Sequence, residues 1–84
     1  MADKKNFHIH YYAGLQDQAG KEEELFQSNA STPRELFHEL KDMYHFSFVQ
    51  ENLVVAVNDE YAEWDQVLQD EDTVVFIPPF SGGA

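Results

Sequence analysis

The sequence lacks cysteine altogether and contains few basic residues. Without cysteine, the 84-residue chain can form no disulfide, no thiolate metal site and no cysteine nucleophile, so its stability must come from packing. Five basic residues stand against sixteen acidic ones, a formal net charge of −11. Such a charge repels nucleic-acid phosphates and anionic lipids. We therefore expect neither nucleic-acid binding nor a role at a membrane surface.

Long apolar runs are also lacking. No uninterrupted stretch approaches the roughly 20 apolar residues that a membrane-spanning helix needs. His8 and His10 interrupt the apolar segment near the start, so no signal-peptide pattern is expected there, and we predict a cytoplasmic protein. The length predicts one domain. A hydrophobic content of 43% and an aromatic content of 14% are sufficient for a modest core.

Several segments have the alternation or apolar content typical of β-strands. Residues 7–12 alternate apolar and polar side chains at a period of two. The interruption at residues 13–20 and a short strand within residues 22–28 predict an antiparallel hairpin. The remaining predicted strands are 54–57, a brief extended piece around Tyr61, and 73–78.

One segment has the signals of a helix start. Thr32 is a suitable N-cap, Pro33 fits the first helical position, and Glu35 completes a capping box. An amphipathic helix of about three turns follows. Its predicted apolar side is Leu36, Phe37, Leu40, Met43 and Tyr44. The order of elements predicts an α+β roll: a mixed sheet of four to five strands with one main helix packed across it.

The last predicted strand is apolar on both faces. Val74 and Phe76 point one way, whereas Val75 and Ile77 point the other way. One helix and 84 residues cannot easily cover both faces of a sheet. We therefore predict an outer apolar patch of Val75, Ile77 and Phe80 that awaits a partner.

The chain ends in a stiff apolar stretch followed by two glycines. Pro78 and Pro79 favour an extended chain, and Gly82 and Gly83, which have no Cβ atoms, could enter a channel too narrow for side chains. The alternative is a frayed terminus of small polar residues. We divide the chain into a folded domain, residues 1–79, and a flexible tail, residues 80–84.

Other candidate chemistry is weak. His8 and His10 share one strand face and could contact one metal ion. No further ligand is fixed nearby, so no metal site is predicted. We expect both histidines, together with Tyr12, on the outer face of the sheet, where they contact a partner or are merely solvated. Ser81 has no base positioned beside it. The acidic residues are expected in turns and exposed helix positions. The chain therefore does not resemble an enzyme by itself.

The tail and its surroundings resemble a known family. The sequence from Phe76 to Gly83, Phe-Ile-Pro-Pro-Phe-Ser-Gly-Gly, closely resembles the end of the small subunit of molybdopterin synthase, the MoaD family of ubiquitin-like sulfur carriers. Further similar segments occur in order at 11–13 with Gly20, at 32–36 and at 55–58. The resemblance implies a β-grasp fold, in agreement with the predicted order of elements.

The resemblance also implies a function centred on Gly83. In this family an E1-like activating enzyme uses ATP to adenylate the terminal glycine, and sulfur then replaces the adenylate to give a thiocarboxylate. The tail would enter the large catalytic subunit of a heterotetramer and donate sulfur to a pyranopterin precursor. Gly82 and Gly83 would permit entry, Ser81 would line the passage, and residues 77–80 would anchor the tail. No bound cofactor is implied.

Two departures from the family pattern matter. Glu71 occupies a position where glycine is frequent, which would strain the backbone only if φ is positive there. Ala84 follows Gly83, although the reactive glycine is normally last. Either a peptidase removes Ala84 to expose Gly83, or Ala84 was added during preparation, and the sequence is compatible with both. Two alternatives share the activated glycine: a protein modifier joined through Gly83, and a sulfur carrier for thiamine thiazole synthesis.

Overall fold

A computed structural model of the protein describes residues 4–78. No helix in that part of the chain is both long and apolar enough to span a bilayer. The helices are α1 (Gly14–Ala19) and α2 (Pro33–Tyr44), and a 3-10 turn covers Gln50–Asn52. The strands are β1 (Lys5–Tyr11), β2 (Glu23–Ser28), β3 (Val54–Val57), β4 (Glu60–Ala62) and β5 (Thr73–Ile77).

The five strands form one mixed sheet in the order β2-β1-β5-β3-β4. Strands β1 and β5 are parallel neighbours at its centre, and the other three pairs are antiparallel. The predicted mixed sheet with one main helix across it is thus confirmed. Because β5 is hydrogen-bonded on both sides, the point where the chain leaves the sheet is firmly held.

Helix α2 begins as predicted. Thr32 Oγ1 accepts a hydrogen bond of 3.3 Å from the Glu35 N–H, while Glu35 Oε1 accepts one of 2.7 Å from the N–H of Ser31. The reciprocal bond therefore reaches one residue before the N-cap. Leu36, Phe37 and Leu40 are buried. The prediction is wrong for Met43, which is 48% exposed because it lies at the margin of the apolar stripe on the last turn.

The connection between β1 and β2 differs from the prediction. The two strands are antiparallel neighbours, but helix α1 joins them in place of a hairpin turn. Leu15 and Ala19 face the core. Gly14 packs closely against Phe48: a Cβ atom at position 14 would lie 2.7 Å from the Phe48 ring, so a larger residue there would require that ring to shift. The six residues of α1, which begin with Gly14 and end before Gly20, are too few to show a helical period, so the sequence pattern did not reveal this helix.

Aromatic side chains fill the core beneath the end of β5. The Phe76 ring lies 5.4 Å from that of Phe37 and stacks on Trp64 at 5.9 Å, measured between centroids. Phe37 also stacks on Phe46 at 6.1 Å. Such aromatic pairs add to the stabilisation from area burial. They hold the inner face of β5 just before the chain continues toward the tail.

A largely covered carboxylate, that of Glu24, joins the edge of the sheet to the end of α2. Glu24, whose side chain is only 14% exposed, accepts hydrogen bonds from Tyr11 (2.5 Å) and Tyr44 (2.7 Å) through Oε2. The Lys21 ammonium lies 3.4 Å from its other oxygen. The expectation that acidic residues lie in turns and exposed positions is therefore wrong for Glu24. Asp72 is also buried.

The cluster of Glu24, Tyr11 and Tyr44 makes the free energy of unfolding decrease at alkaline pH. Burial, together with the Glu24 carboxylate, raises the pKa of Tyr11 well above its usual range. Above pH of about 10 an unfolded tyrosine loses its proton while folded Tyr11 retains it, so stability falls as pH rises, by up to about 1.4 kcal/mol per pH unit. We expect this fall to be shallower in Tyr11→Phe, measured by urea unfolding between pH 9 and 11. Tyr61→Phe is the control outside the cluster; an equal change in both variants would contradict the assignment.

Glu71 has a positive φ of 71°. A residue with a Cβ atom therefore occupies the left-handed region at the position where glycine is frequent in the family. Its N–H donates to the Asn6 carbonyl at 2.7 Å, which fixes this conformation in the turn before β5. Left-handed backbone costs a residue with a Cβ atom about 1–2 kcal/mol. Glycine would avoid this cost, but part of the gain would be lost because glycine has more conformational freedom in the unfolded chain.

Replacing Glu71 by glycine should therefore stabilise the protein. We expect Glu71→Gly to raise the free energy of unfolding by about 0.5–1 kcal/mol, measured by urea denaturation. The exposed contact with His8 that is lost has little effect. Glu71→Ala removes the same carboxylate but keeps a Cβ atom, so it should give no gain. Equal stabilisation by both variants would show that backbone strain is not the cause.

Candidate functional site

The outer face of the sheet carries a contiguous apolar surface. Val74 and Phe76 are fully buried, whereas Val75 and Ile77 are only half-buried on the opposite face, which confirms the predicted alternation. We call the surrounding surface the outer patch. Its members are Tyr12, Val54, Ala56, Tyr61, Val75 and Ile77.

Strand register makes the outer patch continuous. Ala56 lies opposite Val75 on one side and Tyr61 on the other, and Val54 lies opposite Ile77. Directly opposed side chains in a sheet have Cβ atoms about 4.5–5.5 Å apart, so these residues form one surface. A shallow groove of about 290 Å³ is lined by outer-patch residues and Asp59. The patch is suited to receive apolar side chains from another protein.

Acidic groups border the outer patch at the hairpin between β3 and β4. Asn58 and Asp59 form the turn with positive φ values of 52° and 71°, and Glu60 follows at the start of β4. Asp59 and Glu60 are both exposed. An apolar centre with a charged rim is the usual composition of a protein interface. A partner surface that carries basic residues around an apolar centre would complement this one.

The two histidines of β1 lie on the same outer face. His10 is opposite Val75, with Nδ1 3.6 Å from a Glu23 oxygen, and His8 Nε2 lies 3.1 Å from a Glu71 oxygen. Each imidazole thus has its own carboxylate partner. Within residues 4–78 no group of three or more potential metal ligands is assembled. The structure therefore gives no support to the hypothesis of a histidine metal site.

The predicted site residues fall into two sets. Tyr12, Val75, Ile77 and Pro78 lie together at the end of β5, with Tyr12 immediately after the residue that pairs with Phe76. The others, Pro79, Phe80, Ser81, Gly82 and Gly83, lie outside the described residues, so their predicted roles stay predictions.

Sequence reasoning missed three members of the outer patch. Val54, Ala56 and Tyr61 were assigned to strands but not to this surface. Residues 54–57 are apolar throughout, so the sequence does not show which of them face outward, and the position of these residues depends on β3 pairing with β5. That pairing joins segments about twenty residues apart, and the local pattern does not encode it.

The fold defines a class of protein. A five-stranded mixed sheet with parallel β1 and β5 at its centre and one main helix across it is the ubiquitin-like β-grasp architecture. The sequence defines the family more narrowly: residues 9–83 match the ThiS family. Because this match covers most of the chain, the protein belongs to the ThiS family. A comparison with curated protein sequences gives no significant match.

Solved structures with this fold include proteins of different described roles. A Pyrococcus furiosus protein, named as a candidate molybdopterin converting factor subunit 1, is 27% identical with a TM-score of 0.74, covering 89% of this chain and 98% of its own. SAMP1 from Haloferax volcanii is 20% identical, with a TM-score of 0.75 and coverages of 93% and 99%. Urm1 from Trypanosoma brucei is 24% identical, with a TM-score of 0.66 and coverages of 99% and 100%. The last two likenesses establish the fold alone.

Proposed function

We propose that this protein is a sulfur carrier and the small subunit of a molybdopterin synthase. The observation that carries the proposal is the outer patch, which lies at the end of β5, directly before the residues that lead to Gly82 and Gly83. The 27% identity to the Pyrococcus furiosus protein and the Pro-Pro-Phe-Ser-Gly-Gly ending support this branch of the family. The protein acts as a substrate and a subunit, and the catalytic groups belong to its partners.

In the proposed reaction the carboxylate of Gly83 is activated first. An E1-like enzyme joins it to the AMP portion of ATP and releases pyrophosphate, which converts a poor electrophile into a mixed anhydride. Hydrosulfide, sulfur at the sulfide level supplied by the activating system, then attacks the acyl carbon through its sulfur; the bond between the acyl carbon and the AMP oxygen breaks, and AMP leaves. The product is a thiocarboxylate at Gly83. Since this activation consumes ATP, the proposal puts the protein in the cytoplasm; the protein itself holds no cofactor.

The second half of the proposal concerns delivery. The outer patch docks on the large catalytic subunit of a heterotetramer, and Phe80 extends the apolar contact beyond Ile77. Pro78 and Pro79 keep the start of the tail extended, while Ser81, Gly82 and Gly83 pass through a narrow channel. The thiocarboxylate then reaches a pyranopterin precursor bound by the partner. Its sulfur attacks a carbon of the pterin and displaces an oxygen substituent, which gives a thioester between Gly83 and the pterin. Water then cleaves the acyl–sulfur bond, which restores the Gly83 carboxylate and leaves the sulfur on the pterin.

Ala84 must be absent for this chemistry. One additional residue moves the terminal carboxylate by up to about 3.5 Å along an extended chain. A misplacement of about 1 Å can already reduce a rate about a hundredfold. We therefore propose that Gly83 becomes the reactive terminus only after Ala84 is removed.

The first test measures sulfur loading directly. The form ending at Gly83, incubated with the activating enzyme, ATP and a sulfur source, should gain the mass difference between one sulfur and one oxygen. The form ending at Ala84 is the matched control and should remain unchanged. No mass change on the Gly83 form would reject sulfur carriage.

The destination of the sulfur or of the Gly83 acyl group distinguishes the molybdopterin role from the two alternative functions. The loaded form should make molybdopterin when mixed with the large subunit and the pterin precursor. Branched peptides that join Gly83 to lysines of other proteins would instead indicate a protein modifier. Sulfur incorporation into a thiazole, without molybdopterin formation, would indicate the thiamine pathway.

The second test examines docking through the outer patch. Val54 is 46% exposed within the patch and Val67 is 65% exposed outside it, so Val54→Asp and Val67→Asp make the same chemical change at different surfaces. We expect Val54→Asp to weaken binding to the large subunit at least about tenfold, because it buries an unpaired charge at the interface. Val67→Asp should alter binding less than about twofold. Titration calorimetry distinguishes these results, and equal effects would contradict docking through the patch.

A further inference from the structure

Strand β2 provides a second surface, distinct from the outer patch. It lies at one end of the sheet and, among the described residues, pairs only with β1. Six consecutive residue pairs join the two strands, from Lys5 with Ser28 to His10 with Glu23, without a bulge. The opposite edge strand, β4, has three residues. The long regular edge of β2 is therefore the place where the sheet can accept another strand.

Hydrogen bonds of β1 show which of its amides face β2. The N–H of Tyr11 donates to the Glu22 carbonyl at 2.8 Å, whereas the N–H of His8 donates to the Asp72 carbonyl at 3.0 Å, on the β5 side. Backbone groups alternate in direction along a strand. The odd-numbered residues of β1 therefore bond to β2.

The register carries this alternation across to β2. Phe26 and Glu24 lie opposite odd-numbered residues of β1 and exchange backbone bonds with them. The N–H and C=O groups of Glu23, Leu25 and Gln27 consequently point away from β1. All three residues are exposed, so their backbone groups are accessible to an incoming strand.

The side chains along this edge indicate the chemistry of a partner. Leu25 is 62% exposed and offers an apolar contact in the middle of the strand. Glu22 and Glu23 are exposed at its start. Edge strands are often protected by lysine, proline or a bulge, and β2 contains none of these. The exposed charged residue of β2, Glu23, is acidic, as is Glu22 just before it, whereas exposed Lys21 is paired with Glu24.

We propose that the free edge of β2 binds an extended segment of a protein partner that carries lysine or arginine, added as a further strand of the sheet. Main-chain hydrogen bonds would supply affinity, and the acidic side chains would select basic ones. A second copy of this chain is disfavoured, because two molecules that each carry a net charge of −11 repel each other. The proposal is independent of sulfur transfer, since it uses neither the tail nor the outer patch.

The test uses a defined peptide, N-acetyl-Lys-Val-Lys-Val-Lys-amide, titrated into the ¹⁵N-labelled full chain. We expect the amide signals of Glu23, Leu25 and Gln27 to shift together and their hydrogen exchange to slow, with affinity falling as salt rises. The same peptide with glutamate in place of lysine should not bind. Saturable shifts confined to the outer patch, or no shifts at β2, would overturn the proposal.

Proline substitution isolates the contribution of the backbone. Gln27→Pro removes one outward N–H without removing a β1 hydrogen bond, a position where edge strands tolerate proline; Gln27→Ala keeps the N–H. We expect about tenfold weaker peptide binding by Gln27→Pro and little change for Gln27→Ala, in variants whose spectra show the native fold. Equal affinities would overturn backbone pairing.

A charge reversal provides a second variant that leaves the strand backbone intact. Glu23→Lys should reduce binding of the lysine peptide and permit binding of the glutamate peptide. If Glu23→Lys leaves the preference between the two peptides unchanged, the proposed selection of basic segments is wrong.

Discussion

The parallel pairing of β1 with β5 is the constraint on which the rest of the structure depends. It places β5 in the middle of the sheet, hydrogen-bonded on both sides, with Val74 and Phe76 fixed in the core. The outward side chains Val75 and Ile77 consequently have fixed positions relative to the neighbouring strands. A partner that recognises the outer patch thus also determines where the following residues begin. In the proposed function, docking of the patch and presentation of the C-terminal residues would both depend on this one strand.

Polar side chains keep this arrangement ordered in a strongly acidic protein. Asp72 accepts hydrogen bonds from the Gln69 N–H at 2.7 Å and from Asn58 at 2.9 Å, and the Thr73 N–H donates to Asn58 at 3.0 Å. These bonds join the β3–β4 hairpin to the start of β5. Buried carboxylates need such partners. The β3–β4 hairpin is held beside the central strand β5. The part of the outer patch that lies on β4 is thereby held in place as well.

The sequence predicted the fold better than the site. Alternation located β1, apolar runs located β3 and β5, and Thr32 with Pro33 located α2, because these signals are local. Helix α1 was not predicted because six residues are too few to show a helical period. Met43 was wrongly assigned to the buried side of α2 because the spacing of apolar residues does not define how far that buried side extends. The inward or outward direction of Val75 and Ile77 followed from alternation. The membership of Val54 and Ala56 in the same surface required the pairing of distant strands. The burial of Glu24 likewise depends on tertiary contacts with Tyr11 and Tyr44.

The stacking of Trp64 on Phe76 has a practical consequence. The chain contains a single tryptophan, and its ring contacts the last inward-facing aromatic side chain of β5. Tryptophan emission, excited selectively over the tyrosines, therefore originates beside the end of β5. A change of emission on complex formation would report on this region without an attached dye, in a molecule whose own chemistry leaves no thiol for labelling.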